Sequence, residues 1–434
     1  MTTSPLRRSA ALLLAAGVAA GLLTSSPART DAATSTGDRH VTLVRDDSRR
    51  DFARGSADGL VTTRGGGLAV SPRERQRTSY TDPYGDGTAR SYEYGTWTSP
   101  VRRLSYGATE AIASWNATTP TGTWVETTFR GRTPDGSWTK WYVLGRWTSG
   151  MAAADIHRTS VDGQGDDDAT VYTDTFAARD GRQVDAYQTR VRLLRPAGSR
   201  ATPTLDGLAT MTSAVPDGPL PTTSRFTLGR AVELDVPRFS QNIHKGEYPE
   251  FGGGGQVWCS PTSTSMVQYY WRRPVPAAEL RGIETNAGDP QVPYAAMHTW
   301  DFAYDGAGNW PFNAAYAHRF GLEAFVTRLG SLADVERFVA RGIPVVVSLS
   351  WKEAEMPEAG YGTNGHLMVV VGFTADGDPV LNDPASSSDQ AVRNVYTREN
   401  FEKVWIGSTG GVSYVYAPPG VRLPPHHRGD QRAW

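Results

Sequence analysis

At 434 residues the chain exceeds what one typical core supports, so two domains with processed or loose ends are expected. Its 44 basic and 45 acidic residues leave a net charge of -1, which gives no global field to attract nucleic acid or an anionic membrane. Hydrophobic residues at 39%, with 46 glycines, 28 prolines and 13 tryptophans, fit a loop-rich, sheet-rich globular protein and exclude wholesale disorder.

The first 33 residues read as an export signal: Arg7 and Arg8 precede an apolar run over 12–23 and a small-residue cleavage site at Ser26-Pro27-Ala28. The paired arginines fit a twin-arginine signal but do not separate the export routes. No later stretch reaches the roughly 18–20 consecutive apolar residues that span a bilayer. The expectation is a secreted protein, extracellular or wall-associated, with no integral membrane segment.

Residues 38–215 show short alternating stretches broken by Gly, Pro, Asp and Asn, and predict an all-β sandwich. Strands are expected at 111–117, 123–129, 138–147, 169–176 and 188–194, with turns at Pro134-Asp135-Gly136 and Arg179-Asp180-Gly181. Six tryptophans fall between Trp97 and Trp147. Alternating tryptophans in half-buried strands are packing residues first, but exposed ones would stack on sugar rings, which makes a cell-wall polymer a candidate partner. The acidic residues Asp162, Asp166, Asp167 and Asp168 lack a full calcium-loop pattern and read as a solvated turn.

A Pro-rich linker is expected over 216–230, a mixed helix-and-strand domain over 231–418, and a disordered tail over 419–434, whose composition cannot build a core. The catalytic half, cut near Thr222, is expected to fold by itself.

Cys259 is the single cysteine of the chain. An exported protein meets an oxidising compartment where cysteines normally pair, so a lone one is either an inert buried thiol or a reactive one. Its surroundings favour the second: four glycines at 252–255 lead through Gln256 and Trp258 into a helix over 262–271, with Pro261 in the first turn. Unpaired N–H groups and the positive dipole end at a helix start favour a thiolate. The best partner is His366, which opens the apolar run Leu367-Met368-Val369-Val370-Val371. A turn at Ala375-Asp376-Gly377-Asp378 and a second short strand lead to Asn382-Asp383-Pro384, so a hairpin brings Asp383 beside His366. An aspartate there orients the imidazole. A helix over 332–341, opened by Ser331 and Asp334, precedes a buried strand at 343–349. The segment 351–365 reads as a lid or a solvated connection. The predicted fold class is α+β, with the active site between a helical side and a sheet side.

Residues from about Glu233 to Ala417 resemble cysteine peptidase family thirty-nine, the bacteriocin-leader-peptidase-like members of the papain clan. The resemblance rests on Val236-Pro237-Arg238-Phe239-Ser240-Gln241, the Cys259 helix, Gly342-Ile343-Pro344-Val345, Gly365-His366 and Asn382-Asp383-Pro384. It implies a papain-like domain with Cys259 as nucleophile, His366 as base, Asp383 as its orienter and Gln241 as oxyanion-hole donor. Ser260 stands where many relatives carry Gly, and a glycine-rich insertion lengthens the interval from Gln241 to Cys259, which makes Gln256 a rival donor. The resemblance implies peptide or protein substrates and no cofactor or metal. A wall amidase or acyltransferase would use the same triad, and a glycan-binding protein with a vestigial peptidase fold is the reading from a different class. Neither His-Glu-x-x-His nor Gly-x-Ser-x-Gly occurs, which speaks against metal and serine hydrolysis.

Overall fold

The computed structural model describes residues 39–73, 75–216, 220, 222–427 and 431–434; the expected export signal lies outside them. Among these residues the chain forms three seven-stranded sheets. Two of them face each other as the expected sandwich. The first sheet is centred on Glu110–Thr118 and Thr204–Ala214, the second on Trp124–Arg132 and Val184–Pro196. Alternation along these strands sends Trp97, Trp115, Phe129, Trp147, Tyr187 and Val191 into one core. Trp124 is buried as well, while Trp138 and Trp141 stay half-buried on the outside.

The strand expected at 169–176 is instead a hairpin, Ala169–Tyr172 with Thr175–Ala178. Thr173 adopts a positive φ of 55° at its tip, a turn made without Gly that no residue-type rule would flag. Asp166 closes a turn by accepting from the N–H groups of Asp168 and Ala169 at 3.1 Å each, and it meets Lys140 at 3.1 Å.

The third sheet runs in the order Glu323–Arg328, Val412–Ala417, Val345–Trp351, Thr363–Phe373, Pro379–Asn382, Arg393–Val395. The helix Cys259–Tyr270 packs against Thr363–Phe373, and the capped helix Leu332–Val339 covers the same sheet. The fold is therefore α+β, with a layer of helix on sheet behind a β-rich domain.

The two halves share their cores. Phe312, from the helix Trp310–Arg319, lies edge-on to Trp115 at 6.1 Å and against Trp147 at 5.2 Å. Ile112, Ala209 and Met211 of the sandwich belong to the core of the third sheet. That sheet's edge strand Glu323–Arg328 would leave alternate N–H groups unpaired. Asn116 accepts from Ala324 N–H at 3.2 Å and Ser114 from Val326 N–H at 3.1 Å, so the sandwich completes the edge.

The linker joins the two domains where expected but is held more tightly than its composition suggests, and the tail needs correction. The 216–230 linker is strapped down over its described C-terminal part: Ser224 Oγ donates to Glu402 at 2.6 Å, Thr227 N–H to Glu336 at 2.7 Å, and Arg398 Nε to the Ser224 carbonyl at 2.6 Å. Its polar residues satisfy buried carboxylates rather than water. The 419–434 tail is not loose at its end either. Arg432 bridges Thr42 in parallel, Ala433 is buried, and Trp434 packs edge-on to Phe338 at 5.1 Å under Arg337. A tail that cannot build a core can still fill a groove that the two domains have already made.

Candidate active site

Cys259 occupies the first position of its helix. The four glycines before it all take positive φ, from 83° at Gly252 to 52° at Gly255. A side chain at Gly254 would stand 2.2 Å from the His244 carbonyl, so only Gly permits this loop to lie on the turn that starts at Gln241. The insertion is therefore packed, not loose. Trp258, fully buried, donates from Nε1 to the Phe251 carbonyl at 2.9 Å and fixes the residue just before the thiol. Further along, Ser260 Oγ meets Tyr414 Oη at 3.0 Å and Ser263 Oγ donates to the Leu367 carbonyl at 3.1 Å, which ties the helix to the sheet beside His366.

His366 and Asp383 meet as the hairpin requires. Val369 pairs with Asn382, and Gly377, with a φ of 95°, closes the connecting turn. His366 Nε2 lies 2.8 Å from Asp383 Oδ1. The ring's other nitrogen is Nδ1, and Cys259 lies close enough to act on the imidazole electrostatically. Both partners are nearly inaccessible, at 4% and 2% exposure. Burial opposes charge on His366, yet the Asp383 carboxylate, helped by Cys259, pushes its pKa from 6.5 up to about 10. Burial likewise opposes charge on Asp383, but the imidazolium holds its carboxyl below the ordinary value.

The remaining lone pairs of Asp383 are filled. Oδ1 also accepts from Ala385 N–H at 2.9 Å, and Oδ2 accepts from Tyr361 and Tyr396, both at 2.8 Å. Trp351 and Tyr361 set their rings edge-on to His366, with centroids 5.8 and 6.1 Å away. These three aromatics shield the His–Asp pair from water, and sequence reasoning missed all of them. No spacing rule links Tyr396 to Asp383; the only signal was that 351–365 sits beside the base. That segment is pinned: Met356 is fully buried, and Glu358 accepts from Thr397 N–H at 2.9 Å and Asn400 at 3.1 Å.

Of the two glutamines, Gln241 is buried and Gln256 exposed. Gln241 N–H donates to the Pro384 carbonyl at 2.8 Å, and its Nε2 lies 3.4 Å from the Gln256 carbonyl, while Oε1 has no partner. Its neighbour Ser240 donates from Oγ to the Ser386 carbonyl at 2.6 Å. The Gln241 amide is thus held between the Asp383 loop and the approach to Cys259. Gln241→Ala is expected to lower kcat about 10²- to 10³-fold and Gln256→Ala far less. Turnover of both variants on one peptide substrate checks this, and the opposite ranking would transfer the role to Gln256.

A family model described as Peptidase C39 N-terminal domain matches residues 42–213, and one described as Peptidase_C39 like family matches residues 233–413. Among solved structures, a putative C39-like peptidase from Bacillus anthracis is 19% identical, covers 45% of this chain and 99% of its own, and gives a TM-score of 0.29. A fragment of prointerpain A from Prevotella intermedia is 14% identical, covers 48% and 78%, and gives 0.27. No curated protein matches the chain.

Proposed function

The chain belongs to the C39 family of cysteine peptidases, and from that premise we propose that it is a secreted enzyme that hydrolyses peptide bonds through Cys259, His366 and Asp383. The observation that supports this most is the 2.8 Å contact of His366 Nε2 with Asp383, beside a thiol at a helix start that acts electrostatically on the same ring.

Cys259 Sγ attacks the scissile carbonyl as the thiolate, the nucleophilic form of a cysteine. The carbonyl oxygen gathers negative charge and is stabilised by a backbone N–H at the helix start and by Gln241 Nε2. His366 gives its proton to the leaving amine, and the C–N bond breaks to leave a thioester on Cys259. The now neutral imidazole takes a proton from water, hydroxide adds to the thioester, and the acid product departs with the thiolate restored. Asp383 keeps the ring aimed and supports its positive charge throughout.

The pH dependence follows from the charges. The imidazolium is the proton donor, so activity persists until pH rises through its pKa of about 10. A raised histidine pKa contributes stability that is complete below 6.5 and lost as pH rises towards about 10; the depressed Asp383 contributes stability present above its ordinary value and lost as pH falls below it. Asp383→Asn removes the charge that raises His366. Its alkaline limb of kcat/KM is expected to move to lower pH, with KM little changed. An alkaline limb that stays in place would separate Asp383 from the base.

A further inference from the structure

The outward face of the second sandwich sheet carries rows of arginines and aromatic rings that the hydrolytic chemistry does not use. Register fixes which side chains share that face. Arg190 stands opposite Thr98 on one side and Thr128 on the other, Arg192 lies between Thr96 and Glu126, and Gln188 faces Arg130. Phe129, Tyr187 and Val191 on the same strands are core, so strand alternation sends the arginines outward.

Charge on this face is only partly matched. Arg146 and Arg192 share Glu126 at 2.9 and 3.2 Å, and Arg132 meets Asp185 at 2.9 Å. Among the described residues, Arg130 and Arg190 have no carboxylate at ion-pair distance; they donate to Gln188 at 2.6 Å and to Thr98 at 3.4 Å. Their guanidinium groups lie over the Trp141 ring at 4.6 and 3.9 Å, and Arg130 also covers Trp138 at 4.4 Å. Burial lowers the pKa of both, and the charges of Arg130 and Arg192 lower that of Arg190 further. Two cations held near one another without a counter-charge are stabilised by an incoming anion.

The pattern continues across the sheet, where Arg192 lies over Tyr94 at 4.1 Å and Arg146 over Tyr80 at 5.2 Å. From the strand beside Trp141 to the strand of Tyr94 is three strand spacings, roughly 14 Å at about 4.8 Å each. That length suits a chain of linked units rather than one small anion. We infer that this face binds an acidic polysaccharide, with its carboxylates on Arg130 and Arg190 and its sugar rings against the flanking aromatics. Guanidinium groups set beside aromatic faces suit a uronic-acid glycan, whose carboxylates are carried directly on its sugar rings. The inference is independent of the proposed hydrolysis.

The test is calorimetric titration of the full chain at low salt with polygalacturonate, a neutral galactan, polyglutamate and single-stranded DNA. Polygalacturonate is expected to bind at least about tenfold more tightly than the other three, the discrimination one charge-assisted hydrogen bond supplies. The double variant Arg130→Gln, Arg190→Gln is expected to lose about tenfold or more in that affinity while peptide hydrolysis and thermal unfolding stay unchanged. If the double variant unfolds, Arg190→Lys is read instead; it keeps the charge, loses the planar fork and should bind measurably less. Equal binding of polyglutamate or DNA, no binding of polygalacturonate, or unaltered affinity in the variants would overturn the inference.

Discussion

Replacing Cys259 by Ala is expected to abolish hydrolysis, by about 10⁴-fold or more in kcat, while the protein unfolds at nearly the same temperature. The size of the effect follows from the chemistry: Cys259 is the chain's single thiol, the Ser263 hydroxyl nearby is committed to the Leu367 carbonyl, and water in place of the thiol has no preorganised path to the substrate carbonyl. Stability is spared because the thiol sits at the first turn of its helix, where Trp258, Ser260 and Ser263 provide the anchoring contacts. His366→Ala is expected to be nearly as severe, since it removes the proton donor and the charge that supports the thiolate. Turnover on a fluorogenic peptide, read with thermal unfolding of the same samples, checks both. An active Cys259→Ala variant would end the cysteine-hydrolase account.

Separating the halves is expected to be as damaging, by a different route. A fragment from Thr222 to the C-terminus uncovers Phe312, fully buried in the intact chain against Trp115 and Trp147, and strips Ile112, Ala209 and Met211 from the core of the third sheet. Exposing Phe312 alone costs about 1.5–3 kcal/mol, and the lost apolar neighbours add to it, against a whole-domain stability of about 5–15 kcal/mol. The edge strand Glu323–Arg328 also loses Asn116 and Ser114 and is left open to pairing between molecules. The fragment is therefore expected to be insoluble or molten and inactive, and co-expression with residues 39–215 is expected to restore soluble enzyme. A soluble fragment with a sharp unfolding transition and full activity would show that the shared core is dispensable. The self-folding catalytic half expected from the linker composition is the opposite outcome. Pro-rich composition marks where the chain changes fold but carries no information on how much apolar surface is shared across the change.

What was legible in the sequence is what depends on local pattern. The hairpin joining His366 to Asp383 follows from one strongly apolar strand, a Gly-containing turn and a second short strand, and the register brings the two ends together. The Cys259 helix was legible because a glycine run stops where the helical pattern starts. Long-range partners were not. Tyr361 and Tyr396 reach Asp383 from two separate segments, and nothing in their neighbourhoods encodes a phenol aimed at a carboxylate. The packing of the glycine loop was not legible either: four glycines signal freedom in an unfolded chain, yet here all four take positive φ, and Gly254 and Gly255 lie too close to the Gln241 turn for any side chain. The tail reading erred because composition reports whether a segment can make its own core and not whether it can borrow one.

The account rests on an acyl-enzyme formed at Cys259 and resolved by His366. The most direct measurement is intact-protein and peptide mass spectrometry after reaction with an activated peptide ester, quenched in acid at early times. The account predicts one added acyl group on the peptide that contains Cys259, decaying as product forms, and no such adduct in Cys259→Ala or in His366→Ala. Steady hydrolysis with no adduct on Cys259, or an adduct that forms as fast without His366, would contradict it.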